Sequence, residues 1–163
     1  MPPLHPRAAA LVEQLGLQAH PEGGFYREIF RSPSTVQTAD GRGSRSGLTT
    51  IDFLLAQGQF SAWHRVASDE VWHLLEGGPL RLWLAPPTLD RIEQVTLGAV
   101  GAAQSRRHVV PANWWQAAQP LGDFAYVGAT VGPGFDFADF SFARGSDAQV
   151  AIAALDPAAA HLL

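Results

Sequence analysis

The residues best equipped for chemistry fall mostly in one stretch, GQFSAWHRVASDEVWHLLEG at positions 58–77, which carries an imidazole at His64 and a carboxyl at Glu70. A histidine whose pKa sits near its unperturbed value of about 6.5 can take or give a proton at neutral pH. A carboxylate carried into a core must find a cation, a metal or a polar ligand, because burying it alone is costly. Arg27 and Arg81 are the arginines weighed as its partner. Gln116 offers one acceptor and two donors, suited to a hydroxyl or carbonyl group. Tyr26 and Arg27 follow the Gly23–Gly24 turn, where loop residues commonly reach a pocket mouth. Trp72 shares strand parity with Glu70 and would supply an apolar wall for a sugar ring or planar ligand. The candidate catalytic residues are therefore His64, Glu70 and Tyr26, and the candidate ligand-binding residues are His64, Glu70, Trp72, Gln116, Arg27 and Arg81.

Composition removes several other chemistries. The chain has no cysteine, so disulfides, thiolate metal sites and cysteine nucleophiles are excluded. All eleven Lys+Arg residues are arginine, and without lysine no Schiff base, and no attachment of pyridoxal phosphate, can form. Net charge is −4 with no basic block, so no positive stripe meets the phosphates of a nucleic acid. No stretch approaches the roughly 20 apolar residues of a membrane span, and the apolar N-terminal run is broken by Glu13 and Gln14 without a cleavage site. The expectation is a soluble cytoplasmic protein, with its 163 residues forming one domain.

The elements that must position these side chains are mostly strands. Pro6 opens a short helix over 6–16, with Ala8, Leu11, Val12 and Leu15 on one stripe and Gly16 ending it. Strands are expected at 48–56, 59–66, 70–76, 80–85, 91–97, 107–110, 114–119, 123–131 and 137–142, separated by glycine and proline turns. Many short strands with no helices between them point to an antiparallel sandwich or barrel, spanning about 25–143. A helix over about 146–155, capped by Ser146, closes the chain. The polar segment 32–47 reads as a mobile surface loop whose Arg42 and Arg45 could close over an anion. Trp63, Trp83 and Trp114, with Phe135, Phe137 and Phe140, read as packing residues, and Asp136 as a surface residue; Asp139 has no assigned role.

In the 58–77 stretch, Gly58, His64, Glu70 and Gly77 fall at the spacings of the first cupin motif, with Val66 at its second histidine. Pro111, Asn113 and Gln116 fall at the proline, glycine and histidine positions of the second. The chain thus resembles the cupin superfamily. PEGGFYRE at 21–28, GLTTI at 47–51, HRVASDEVWH at 64–73 and PGFDFADF at 133–140 extend the resemblance to an uncharacterised branch, the fifth cupin-type family, a domain of unknown function. The resemblance implies an all-β double-stranded β-helix, or jelly roll, usually a homodimer, with His64 and Glu70 on its inward face. Where the family holds a divalent metal on three histidines and a glutamate, only His64 and Glu70 are kept here, and Val66 and Gln116 replace two ligands. His73 has the opposite strand parity to Glu70 and is expected to face out.

Three readings of function follow. One is a metal-independent isomerase or epimerase acting on a sugar-like or carbonyl compound, similar to the dTDP-4-keto-6-deoxyhexose epimerases, with His64 as base and Tyr26 or a water held by Gln116 as acid. The second is a small-molecule binding module without chemistry. The third is a metal-dependent enzyme using His64, Glu70 and Gln116, although one imidazole, one carboxylate and one amide oxygen make a poor donor set. No cofactor is assigned beyond that possibility of a divalent metal.

Overall fold

A computed structural model of the chain describes residues 3–101 and 103–163. Helix α1 (Pro6–Leu15) has proline in its first turn and ends at Gly16, whose φ of 64° is the left-handed conformation of a C-cap. Its buried residues Ala8 and Leu11 pack on Leu54, Ala56 and Phe124.

Thirteen strands follow among the described residues. One sheet orders β1 (Gln18–Ala19), β2 (Phe25–Arg31), β5 (Thr49–Ala56), β12 (Phe124–Gly132), β7 (Asp69–Gly77) and β10 (Arg107–Val110). The other orders β13 (Phe140–Phe142), β6 (Ser61–Val66), β11 (Trp115–Pro120), β8 (Leu80–Ala85) and β9 (Glu93–Leu97). All of their ladders are antiparallel, so the expected jelly roll forms. It does so as two facing sheets rather than as one ladder closed on itself. A short helix, α2 (Asp147–Leu155), starts where Ser146 accepts a hydrogen bond from the Ala148 N–H.

Strand alternation decides which side chains meet between the sheets. Glu70, Trp72 and Leu74 of β7 are buried while Val71 and His73 are only half-buried, so His73 faces outward as its parity requires. Phe53, Leu55, Trp72 and Leu74 of the first sheet pack on Leu80, Leu82 and Leu84 of the second. Residues of opposite parity, Trp63, Trp83 and Trp115, lie on the far side of the five-stranded sheet, under Ile152, Ala159 and Leu162. Trp63 and Trp83 are thus core residues, whereas Trp114 is half-buried beside Arg91.

The segment 32–47 is not a free loop. Its β3 (Thr35–Gln37) and β4 (Ser44–Ser46) pair as an antiparallel hairpin. Arg42 and Arg45 do not wait for an anionic ligand, because both are bound to Asp139, whose side chain is 3% exposed. Arg45 makes two bonds of 2.8 and 2.9 Å to its two oxygens, and Arg42 makes one of 2.8 Å plus another to Ser68. Asp139 closes a single 3-10 turn, Phe137–Asp139, just before β13, so this buried carboxylate ties the hairpin to the last strand. Removing its charge leaves Arg45 without its counter-ion and Arg42 with Asp40 alone. Asp139→Asn is expected to cost about 1–3 kcal/mol in urea denaturation and to open the hairpin to trypsin at Arg42 and Arg45. Unchanged stability and proteolysis would refute this assignment.

Candidate functional site

A cavity of about 550 Å³ opens between the sheets, and His64, Glu70 and Tyr26 all line it. His64 comes from β6, whose Ala62, His64 and Val66 face inward while Trp63 and Arg65 face out. Glu70 comes from β7, and the His64 imidazole, 3% exposed, and the Glu70 carboxyl, 7% exposed, are among the few buried polar groups of the chain. Gln116 of β11 is the cross-strand partner of His64 in the ladder. The turn before it uses Asn113 with φ of 67°, a left-handed conformation that asparagine tolerates better than most residues, at the position where the motif has glycine.

Gln116 and Trp72 play different parts from those expected of them. Neither lines the cavity. The Trp72 indole Nε1–H donates to Gln116 Oε1 at 2.8 Å, and Gln116 Nε2 donates to Glu70 Oε2 at 2.7 Å. The indole fixes which way the amide points, and the amide in turn holds the carboxyl. Trp72 is packed in the core with its ring edge-on to Phe53, so it supports the site from behind rather than walling a ligand.

Arg81 and Arg27 do not pair with Glu70. Arg81 shares the parity of Trp83 on β8 and lies over that ring at 5.6 Å, on the opposite face of the sheet from the cavity. Arg27 sits at the cavity rim, and its Nη1 donates to the Leu15 carbonyl at the end of α1. Phe135, Phe137 and Phe140 are not buried core; they form the aromatic side of the cavity mouth, with Phe137 59% exposed and Asp136 beside them. Phe140 stacks on the His64 ring at 5.1 Å.

Two residues were not singled out from sequence, Glu22 and His20. Glu22, with a side chain 8% exposed, places Oε2 at 3.3 Å from His64 Nδ1 and accepts from Ser61 Oγ at 2.7 Å on Oε1. It gets there because Gly23 and Gly24 follow it with φ of 108° and 77°. A side chain at Gly24 would lie 2.6 Å from the Leu54 carbonyl oxygen, and one at Gly23 would run into the Phe60 carbonyl. The double glycine in PEGGFY was the available signal: such close backbone approach means that the residue before it is delivered inward. His20 accepts from the Glu22 N–H on Nδ1 at 3.1 Å and stacks edge-on against Tyr26 at 4.5 Å.

His64 Nδ1 also lies 2.7 Å from the Ala62 carbonyl oxygen. A carbonyl can only accept, so Nδ1 carries the proton and Nε2 of the neutral ring presents a lone pair. Nε2 has no partner among the described residues. Burial lowers the pKa of His64, opposed by the Glu70 carboxyl and the Ala62 bond. Burial likewise lowers that of His20 and raises that of Glu22. Burial pushes Glu70 from 4.5 up to about 7, against the opposing effects of His64 and Gln116, with Glu22 adding to the rise.

The four positions that hold a divalent metal in the cupin pattern are His64, Val66, Glu70 and Gln116. Val66 lines the cavity with an aliphatic side chain. Gln116 has its oxygen engaged by an indole and its nitrogen turned to Glu70. No set of three or more His, Asp or Glu side chains among the described residues has the geometry of a metal site. These residues do not fit the group.

An antiparallel jelly roll with a polar cavity between its sheets, fed by two short sequence motifs, defines the cupin class. The chain belongs to the cupin superfamily, in the family of domains of unknown function whose model matches residues 9–143. It is similar to a hypothetical protein from Leishmania major, 28% identical with a TM-score of 0.81 and 95% of each chain covered. It is also similar to a Shewanella oneidensis protein, 30% identical with a TM-score of 0.79, covering 95% of this chain and 93% of that one. A cupin 2 conserved barrel domain protein from Rhodopseudomonas palustris shares the fold at 15% identity and a TM-score of 0.57, covering 90% of this chain and 84% of that chain. No curated protein matches the chain. No helix among the described residues is long and apolar enough to cross a membrane.

The raised pKa of Glu70 has a consequence for stability. The folded state holds this proton more tightly than the unfolded chain, so stability is lost as pH rises from about 4.5 through 7. Glu70→Gln keeps the acceptor for Gln116 Nε2 and removes the titration. The variant should therefore be more stable than the parent at pH 8, by up to about 3 kcal/mol, with the difference fading towards pH 5. Thermal melts across that range check it; a variant less stable at pH 8 contradicts it.

Proposed function

We propose that the cavity binds a small polar, sugar-like or carbonyl compound and moves a proton at a carbon next to its carbonyl, without a metal, as an isomerase or epimerase. The observation that carries this reading is the fixed tautomer of His64, with Nδ1–H held by the Ala62 carbonyl beside Glu22 and Nε2 left without a partner. A general base needs a free lone pair and its other nitrogen oriented, and the bonded Nδ1 beside an unpartnered Nε2 among the described residues supports that reading.

In this scheme His64 Nε2 takes the proton from carbon. The imidazolium that forms is stabilised by Glu22 Oε2, 3.3 Å from Nδ1. Glu70, with its pKa at about 7, is largely protonated below neutrality and can donate a hydrogen bond to the developing enolate oxygen. Tyr26, on β2 across the cavity from β6, returns a proton to the other face of the carbon.

The test is deuterium uptake from solvent into a panel of keto-sugars, followed by mass spectrometry. His64→Gln is expected to slow uptake by about 10²- to 10⁴-fold. Glu22→Gln should slow it by about tenfold or more while moving the limb of the pH–rate profile that belongs to His64, a change that a purely structural role does not produce. A panel in which compounds bind and none exchanges leaves a binding module and rejects the enzyme.

A further inference from the structure

We propose that the ligand of this cavity carries an ammonium group, seated between Glu22 and Glu70. The inference rests on the reading above only in taking this cavity as the ligand site.

With Glu70 ionised, as it is above its pKa of about 7, the cavity floor is nearly all acceptor. His64 Nε2 presents a lone pair, one Glu70 oxygen has no partner beyond the Gln116 bond made by the other, and Glu22 Oε2 meets only His64. Each of these side chains is nine-tenths or more buried. The donors on the lining are the Nε2–H that His20 is left with once its Nδ1 accepts from Glu22, the Tyr26 and Thr49 hydroxyls, the Gln18 amide and two guanidiniums. An acceptor floor selects a donor-rich ligand, and an ammonium brings three donors and a charge.

The charges agree. The lining holds four carboxyls, Glu22, Glu28, Glu70 and Asp136, against two guanidiniums, Arg27 and Arg31. Neither guanidinium pairs with Glu22 or Glu70. Arg31 is gripped at both nitrogens by Glu28, at 2.8 and 2.9 Å, and by the Phe135 carbonyl, while Arg27 is turned to the Leu15 carbonyl. Arg42 and Arg45 are spent on Asp139. Two buried carboxyls thus lack an arginine partner among the described residues, and a ligand that supplies a cation is bound far better than a neutral analogue, whereas an anion is repelled. The Phe135, Phe137 and Phe140 rings give the body of such a ligand π faces to pass and rest against.

Benzylamine, benzyl alcohol and benzoate share one skeleton and differ in charge, so they separate this effect from shape. Titrated into the full-length protein at pH 8 by calorimetry, benzylamine is expected to bind about tenfold or more tightly than the alcohol, with benzoate weakest. Glu70→Gln and Glu22→Gln should each abolish that preference, and thermal melts with tryptophan fluorescence confirm that the variants are folded. Equal affinities, a preference for benzoate, or no heat from the amine at millimolar concentration overturns the inference. Keto-sugar exchange that depends on His64 without any amine preference would remove this inference and leave the proton-transfer reading standing. Amine preference without exchange would do the reverse.

Discussion

A carboxyl carried between two sheets has to be met by something, and in this protein Glu70 is met by an amide. The bond from Gln116 Nε2 at 2.7 Å makes the site what it is. It satisfies one oxygen without cancelling the charge, so burial keeps the carboxyl close to neutrality. It also depends on a third group, because an amide can flip and only an indole donor behind it fixes the oxygen on the far side. Core packing of Trp72 against Phe53 is therefore part of the electrostatics of the cavity, although neither ring touches it. A buried network of this kind is costly when one member is lost and specific when all are present.

The second half of the site arrives from outside the motif strands. Glu22 precedes β2, and its position depends on a backbone that only glycine permits at two consecutive residues. The Ala62 N–H bonds to the Glu22 carbonyl at 3.0 Å, so the same short contact that brings the chain in also lines up Glu22 with the His64 strand. His64 is thereby set from both sides: the Ala62 carbonyl fixes the tautomer and Glu22 stands beside the proton it holds. The geometry is that of an oriented imidazole, built from one β-strand and one glycine turn.

Much of this was legible in the chain. Apolar alternation and turn residues located the strands to within a few residues, because each strand buries one face and the pattern has to show it. Motif spacing located His64, Glu70 and Gln116, and parity located His73 on the outer face. The rest was hidden for specific physical reasons. Arg81 and Trp72 have sequence neighbours that resemble a pocket, but which side of the sheet a residue faces, and what lies in front of it, is settled by the opposite sheet and the C-terminal helix. Asp139 looked idle because both of its partners are more than ninety positions away, and the hairpin they anchor has too few apolar residues to announce itself. The three phenylalanines near the end read as core on composition alone; they sit at a mouth because the strand that carries Phe140 is the edge of its sheet.

The distribution of arginine ties these points together. All eleven Lys+Arg residues of the chain are arginine, whose planar fork prefers fixed bidentate partners. Arg7, Arg31, Arg42, Arg45 and Arg91 are each engaged with acidic side chains at the surface or around the hairpin. Arg65 and Arg81 lie over indoles on the outer side of the five-stranded sheet. A lysine on a flexible stem could have swung into the cavity and neutralised Glu22 or Glu70. With cations committed elsewhere by geometry, the acidity of the floor is a property of the whole chain's charge placement rather than of the two glutamates alone. That placement, and not the two motifs by themselves, sets the charge of the cavity floor.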